Sequence, residues 1–311
     1  MSRYYRSDES TEERGAAGMG RSESRWGTIL TAISALGFSA LPIFGMLAYD
    51  AGANVITLLG YRFAVAALLL WGYLALRRAK LPDGRTIWQM LLMGGVGYTT
   101  MSLLYLSSVD GDRLSPALAA LLLYTYPAIV VLLAWRFDHY RLTGRRVAAL
   151  LLTLAGTGLV LASPGGQVQF SWSGAALALG AALVYATYIL FGSRVSRRTT
   201  PLVTTTFVST AAAVVLLGYG GASGQLRAME PMGWLAVLGA ALVATVLAVL
   251  LFFAGIERLG PSRASIISTL EPVGTAALSA LLYGERLGVW QVAGGVIILG
   301  SIIWLQTQSE A

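Results

Sequence analysis

An acidic side chain stands inside an apolar segment that is long enough to cross a lipid bilayer. The segment runs from Leu259 to Leu287, and Glu271 lies near its middle with Pro272 directly after it. A carboxylate at that depth costs about 3 kcal/mol on insertion scales, so it needs a counter-ion, a proton or water. Glu271 is therefore the first candidate for binding a proton or the amine group of a solute.

Hydroxyl side chains extend Glu271 into a polar stripe along one helical face. The stripe consists of residues three or four positions apart: Ser265, Ser268, Glu271, Thr275 and Ser279. Pro272 has no N–H group and bends its helix, and interrupted helices of transporters line cavities. The alternative is a structural role, in which Glu271 binds backbone groups that the proline leaves free.

Arg62 is the other charge placed deep in an apolar segment. It lies about eight residues, or roughly 12 Å, from the start of its predicted helix. It is a candidate for neutralising Glu271 or for binding a solute carboxylate. A structural arginine that reaches loop carbonyls is the alternative. Pairing with Glu271 would weaken the case for proton coupling, whereas separation would favour a protonated acid.

Aromatic and hydroxyl residues recur at helical spacing in the neighbouring segments. We predict that they line a central cavity for a partly apolar solute: Phe38, Tyr98, Ser102, Tyr105, Tyr126, Tyr185 and Tyr188. Ordinary packing within the bundle, or a belt at the membrane interface, is the alternative. Tyr126 is the strongest candidate, because it precedes Pro127 as Glu271 precedes Pro272. We expect both prolines to bend their helices and to act as gates.

Composition indicates an all-α polytopic membrane protein. The 311 residues are 56% hydrophobic and 12% charged, and the mean hydropathy is +0.68. Such a chain is far more apolar than a soluble domain. There are no cysteines and one histidine, which excludes disulfides, thiolate metal sites and multi-histidine metal sites. No ATP-binding motif is present, so no cofactor is expected. The net charge of +7 is spread between apolar segments, which argues against a nucleic-acid partner.

Ten apolar runs have the length of membrane-spanning helices. We predict spans at 26–48, 55–76, 86–109, 114–135, 145–162, 173–193, 202–219, 233–256, 262–282 and 288–305. With the amino terminus inside, 18 of the 22 lysines and arginines lie on the inner side and 3 on the outer side. The positive-inside rule therefore places both termini in the cytosol. We expect a multi-pass protein of the cytoplasmic membrane.

The chain contains an internal repeat. A shift of 145 residues places Leu114, Pro116 and Tyr126-Pro127 on Leu259, Pro261 and Glu271-Pro272. We predict two five-helix halves, 26–163 and 172–305, with a disordered cytosolic tail at 1–25 and a short cytosolic tail at 306–311. Because five is odd, the second half enters the membrane in the opposite orientation. This architecture is an inverted repeat, which is typical of alternating access.

These features resemble the EamA family of the drug/metabolite transporter superfamily. The resemblance covers about residues 26 to 305 and rests on the ten-helix repeat and on the sequence LEPVGTAALSALLYGERL, which contains Glu271-Pro272 and Gly284-Glu285. Arg62 also falls where this family often has an arginine. In the first half, His139-Tyr140 stands in place of the Gly-Glu pair. The resemblance implies a metabolite carrier, often an exporter of amino acids or related solutes.

We therefore predict a secondary-active exporter of small organic metabolites. A carrier of drugs, nucleosides or sugars with the same fold is an alternative, and a channel is an alternative from another class. Pore-lining rings are not visible, and an intramembrane enzyme would need more catalytic groups than Glu271 and Arg62. The expected partners are the bilayer, a small-molecule substrate and protons. Small residues four positions apart would also allow a homodimer.

Overall fold

Helices make up all the regular structure in the part of the chain that the computed structural model describes, residues 6–109, 113–114, 116–137, 143–161, 170–283 and 288–307. The α-helices are α1 (Arg6–Ser39), α2 (Leu41–Asp50), α3 (Val55–Leu76), α4 (Gly84–Leu92), α5 (Thr99–Val109), α6 (Pro116–Leu123), α7 (Tyr126–Phe137), α8 (Gly144–Leu161), α9 (Trp172–Ser196), α10 (Pro201–Ala222), α11 (Pro231–Ala241), α12 (Ala248–Leu259), α13 (Pro261–Ser268), α14 (Glu271–Tyr283) and α15 (Val289–Thr307).

Several of these helices combine into single membrane spans. Among the described residues, nine segments are long and apolar enough to cross a bilayer, and a tenth, Val289–Leu305, is shorter. Five spans consist of two helices in succession: α1 with α2, α4 with α5, α6 with α7, α11 with α12, and α13 with α14. The predicted all-α class and the ten apolar segments are confirmed, with ends that differ by a few residues.

The amino-terminal tail differs from the prediction. We expected disorder up to residue 25, whereas α1 begins at Arg6. This helix is continuous with the first half of the first membrane span, so its backbone extends beyond the apolar segment. Near the start of the span, the Nε atom of Arg258 lies 3.0 Å from a carboxylate oxygen of Glu23. Several other predicted features lie outside the described residues: the linker near 163–169, the pair His139-Tyr140 and the pair Gly284-Glu285.

Three membrane spans are interrupted near their middle. The break between α6 and α7 comes directly before Tyr126-Pro127, and the break between α13 and α14 comes directly before Glu271-Pro272. At both breaks a threonine hydroxyl donates a hydrogen bond to the backbone carbonyl three residues earlier. Thr125 donates to the Leu122 carbonyl at 2.6 Å, and Thr269 donates to the Ile266 carbonyl at 2.7 Å. The third break, between α1 and α2, precedes Pro42 and was not predicted.

Two π-helical turns lie at equivalent places of the two halves. They span Met93–Tyr98 between α4 and α5, and Leu242–Leu247 between α11 and α12. In each case a threonine hydroxyl donates to the carbonyl five residues earlier, from Thr99 to Gly94 at 3.2 Å and from Thr245 to Ala240 at 3.1 Å. Widened turns of this kind are rare and frequent at functional sites.

The two halves of the chain interleave extensively. The principal helix pairs each join one helix of the first half to one of the second: α1 with α12, α2 with α11, α3 with α10, α5 with α9, α7 with α9 and α8 with α15. Small residues allow the close approach, as at Gly156 and Gly294, where an added Cβ atom would lie 2.8 and 2.5 Å from the facing carbonyl oxygen. This interleaving surrounds a central space between the halves.

Asp83 caps α4 outside the membrane-spanning segment and gives the fold a local pH dependence. Its carboxylate accepts hydrogen bonds from the Thr86 hydroxyl at 2.7 Å and the Thr86 N–H at 3.3 Å. These bonds hold the pKa of Asp83 below its ordinary value of 3.8. Because the pKa is lowered in the folded state, the cap stabilises α4 above the unfolded pKa, and this contribution is lost as the pH falls through the folded pKa.

We therefore expect hydrogen exchange at the first amides of α4 to accelerate on acidification, relative to other helix starts. Asp83→Asn provides the matched control, because asparagine is an equally good N-cap but does not titrate. After division by the intrinsic exchange rate at each pH, the protection factors of these amides are expected to fall at low pH in the wild type and to stay constant in the variant. Identical pH profiles would contradict this role of Asp83.

Candidate functional site

A cavity of about 120 Å³ lies between the two halves, beside the three interrupted spans. Eight of the ten spans contribute to it, all except α8 and α15. Its lining is Phe38, Leu41, Phe63, Tyr98, Met101, Leu123, Tyr124, Tyr126, Tyr185, Tyr188, Val208, Val249, Phe252 and Glu271. Glu271 is the only carboxylic acid in this lining, and the lining contains no lysine, arginine or histidine. The site is therefore largely aromatic and apolar, with a single carboxyl group.

The helix break positions Glu271 in the wall. Because α13 ends at Ser268 and α14 begins at Glu271, the carboxyl group stands at a helix amino terminus, where the backbone dipole favours negative charge. The opposing break, between α6 and α7, brings Tyr124 into the same cavity lining as Glu271. The two interruptions together place an acid and a phenol on opposite walls of one cavity.

Tyrosine rings form a continuous wall beside the acid. The ring centroids of Tyr126 and Tyr185 are 4.6 Å apart, those of Tyr185 and Tyr188 are 6.1 Å apart, and those of Tyr188 and Tyr98 are 6.4 Å apart. Tyr124 adjoins Tyr126 at 6.4 Å. Such a wall offers apolar faces and several hydroxyl groups to a bound molecule.

The hydroxyl residues of the predicted stripe have other partners. Ser265 and Ser268 donate to carbonyls within α13, at 2.9 Å in both cases. Thr275 donates to the Ser39 carbonyl at 3.2 Å, so that it joins α14 to the break after α1. Neither Ser268 nor Thr275 lines the cavity. These side chains satisfy backbone carbonyls near the breaks and do not line the cavity.

Two predicted residues on α5 also lie away from the cavity lining. Ser102 is buried, and Tyr105 packs against the cluster of Leu114, Ala119 and Ala178. Phe38, Tyr98, Tyr126, Tyr185, Tyr188 and Glu271 do come together in the lining, as expected.

Arg62 lies behind the wall and makes no ion pair with Glu271 within the described residues. Its side chain is 1% exposed, and its Nη2 atom donates to the Tyr98 hydroxyl. The guanidinium carbon is 4.5 Å from the centroid of the Phe63 ring. The neutralisation of Glu271 that the sequence allowed is therefore not formed in this conformation.

Some lining residues were not predicted. Phe63 directly follows Arg62, and Leu41 directly precedes Pro42, so both had a neighbour that could have indicated the site. Met101 and Phe252 have no comparable signal, because an apolar side chain in a membrane helix faces lipid, protein or cavity with the same sequence pattern.

Apolar spans around an aromatic cavity with one acid define a multi-pass membrane protein with a cavity of solute size between its two halves. The EamA-like transporter family matches this chain over residues 25–162 and 172–307, and the chain belongs to that family. The two matched regions correspond to the two five-helix halves. The resemblance expected from the sequence is confirmed.

Relatives and a solved structure agree with this assignment. The chain is 29% identical over 282 residues to the protein named "Uncharacterized transporter YcbK" of Bacillus subtilis, with 88% of this chain and 90% of the relative covered. It is 29% identical to "Uncharacterized inner membrane transporter YicL" of Salmonella typhimurium, over 71% of this chain and 73% of the relative. A crystal structure with 20% sequence identity has the same fold, with a TM-score of 0.79 over 91% of this chain and 98% of the other. The protein is thus a membrane transporter of the drug/metabolite type.

Proposed function

We propose that this transporter is a secondary-active exporter of amino acids or related small metabolites that works by alternating access. The observation that carries the proposal is the aromatic cavity at the three helix breaks, with Glu271 in its wall. Its volume is comparable to that of engineered cavities that bind benzene, so it suits a small solute of several non-hydrogen atoms.

An inverted repeat supports this mechanism. The family matches the chain twice, and helix α1 pairs with α12 as α9 pairs with α5. Such reciprocal pairing is expected when two similar halves are related by a twofold axis. The equivalent π-helical turns and the equivalent breaks before Tyr126 and Glu271 follow the same relation. Rocking of one half against the other would then expose the cavity to each side in turn.

The distribution of packing supports an outward-open state. Toward the arginine-rich end, one apolar cluster crosses both halves; it includes Met90, Val130, Val195, Val203 and Ile256. Toward the opposite end there are two separate clusters, each of which also joins both halves: one contains Ala48, Leu58 and Val237, and the other contains Leu114, Ala119 and Ala178. The arginine-rich end is the cytosolic end under the positive-inside rule, with both termini in the cytosol.

Glu271 is the proposed coupling site. No lysine or arginine forms an ion pair with it within the described residues, so a proton or a solute ammonium group must compensate its charge in this apolar wall. Alternate binding of a proton from outside and a solute from the cytosol would couple export to the proton gradient.

Counterflow in proteoliposomes tests the function. Vesicles preloaded with an unlabelled solute are mixed with the same labelled solute, using amino acids, sugars and nucleosides in turn. We expect saturable counterflow of at least one amino acid or related metabolite. Passage that does not saturate and that carries electrical current would instead indicate a channel, and the absence of counterflow for every solute would contradict the proposal.

A further inference from the structure

Arg62 carries a buried positive charge whose hydrogen bonds are incomplete. The side chain is 1% exposed, yet its Nε and Nη1 atoms have no hydrogen-bond partner in the described chain. Only Nη2 is bonded, to the Tyr98 hydroxyl, which is neutral. A buried charge without an anion is costly, and buried unpaired donors each add to that cost. The arrangement therefore lacks an anionic group.

The neighbours of Arg62 provide no such anion. Its guanidinium packs against the rings of Phe63 and Tyr98, with 4.5 and 5.9 Å between the guanidinium carbon and the centroids. No aspartate or glutamate among the described residues forms an ion pair with it. The part of the chain that the structure describes therefore supplies no anion to Arg62, and a bound solute could supply it.

The position of Arg62 connects it to the cavity. Phe63 and Tyr98, which cover the guanidinium, both line the cavity that contains Glu271. A guanidinium group can bind a carboxylate through either of two pairs of N–H groups, and Nη2 takes part in both pairs. Because the Tyr98 hydroxyl takes a single N–H of Nη2, one pair stays free.

We propose that Arg62 binds the carboxylate of a zwitterionic solute whose ammonium group is bound at Glu271. This inference rests on the proposed function and names the recognition group for its substrate. Glu271 and Arg62 then neutralise the ammonium and the carboxylate charge of the same molecule. Tyr98 covers Arg62 until the solute arrives. An amine without a carboxylate leaves Arg62 unpaired and binds weakly.

Matched pairs of ligands test the inference on the full chain. Thermal unfolding of the purified protein is measured with neutral L-amino acids and with the amines that lack their carboxyl group, such as leucine against isopentylamine and phenylalanine against phenethylamine. We expect amino acids to raise the unfolding temperature of the wild type and the matching amines to bind at least about 30-fold more weakly.

Three variants separate recognition from folding. Arg62→Gln should lose the preference for the carboxylate, so that amino acid and amine bind alike. Tyr98→Phe should keep it, because the guanidinium remains. Arg258→Gln, which removes an exposed arginine far from the cavity, should behave like the wild type. If Arg62→Gln does not fold, Arg62→Lys replaces it and should bind amino acids with reduced affinity, since lysine cannot bind a carboxylate in a bidentate manner.

The outcomes distinguish the inference from the proposed function. Saturable counterflow of a solute without a carboxylate, equal in wild type and Arg62→Gln, would overturn the role of Arg62 and leave the transporter proposal standing. Equal binding of amino acids and amines by the wild type would also overturn it. The absence of counterflow for every solute would refute the proposed function itself.

Discussion

Glu271→Gln is expected to abolish the acceleration of transport by a proton gradient, while counterflow of the solute continues at a higher half-saturating concentration because the ammonium group loses its anionic partner. Glutamine has nearly the same shape, but it cannot take up or release a proton. The cavity wall therefore persists, and the coupled step is lost together with part of the affinity for the solute. The measurement compares net efflux from proteoliposomes with and without an imposed pH gradient.

Glu257→Gln is the matched control for this prediction. Glu257 is an exposed acid on α12 outside the cavity lining, so its replacement should leave the response to the gradient unchanged. If Glu271→Gln keeps the full response to the pH gradient, Glu271 is not the coupling site. If counterflow keeps the half-saturating concentration of the wild type, Glu271 does not bind the ammonium group of the solute.

Gly94→Ala is expected to destabilise the protein by about 1 to 3 kcal/mol or more, as overpacking of a filled interior does. Gly94 lies in the π-helical turn and packs against α10. A Cβ atom at this position would overlap the carbonyl oxygen of Val208. That oxygen belongs to backbone, so no side-chain rotation can relieve the overlap. The π-helical turn and α10 would therefore have to move apart.

The adjacent glycine gives a matched control. At Gly95 a Cβ atom would meet the Cγ2 atom of Val215 at 3.4 Å, which is ordinary contact with a side chain. Unfolding in mild detergent, followed by circular dichroism on heating, should show a clear loss of stability for Gly94→Ala and little change for Gly95→Ala. Equal stability of the two variants would contradict the close packing of this turn on α10.

Much of the fold follows from simple features of the sequence. Span length and apolar character locate all ten membrane segments, and proline marks the breaks before Tyr126 and Glu271. The repeat and the carboxyl group in an apolar stretch identify Glu271 without any structure. These features are local and are dictated by the bilayer, which leaves few ways for an apolar run of this length to fold.

Other features depend on which helices meet. The break after Ser39 is stabilised by Thr275 from a distant part of the chain, and the π-helical turn at Gly94 fits against Val208 of α10. Whether Arg62 would reach Glu271 depended on the positions of α3 and α14, and the sequence left both outcomes open. Tertiary contacts of this kind have no periodic signature, so they appear only in the structure.

Alternating access is the central claim, and the absence of cysteine from the chain allows a direct test. Two single-cysteine variants are made: Met101→Cys in the cavity lining and Val130→Cys in the packed cluster, where Val130 is 0% exposed. Labelling by a membrane-impermeant maleimide is measured from each side of the membrane, with and without the transported solute. We predict that Met101→Cys reacts from the outer side while Val130→Cys is protected, and that conditions which make Val130→Cys reactive from the cytosolic side reduce the outer reactivity of Met101→Cys. Simultaneous reactivity of both, from opposite sides and independent of solute, would indicate a continuous pore and contradict the account.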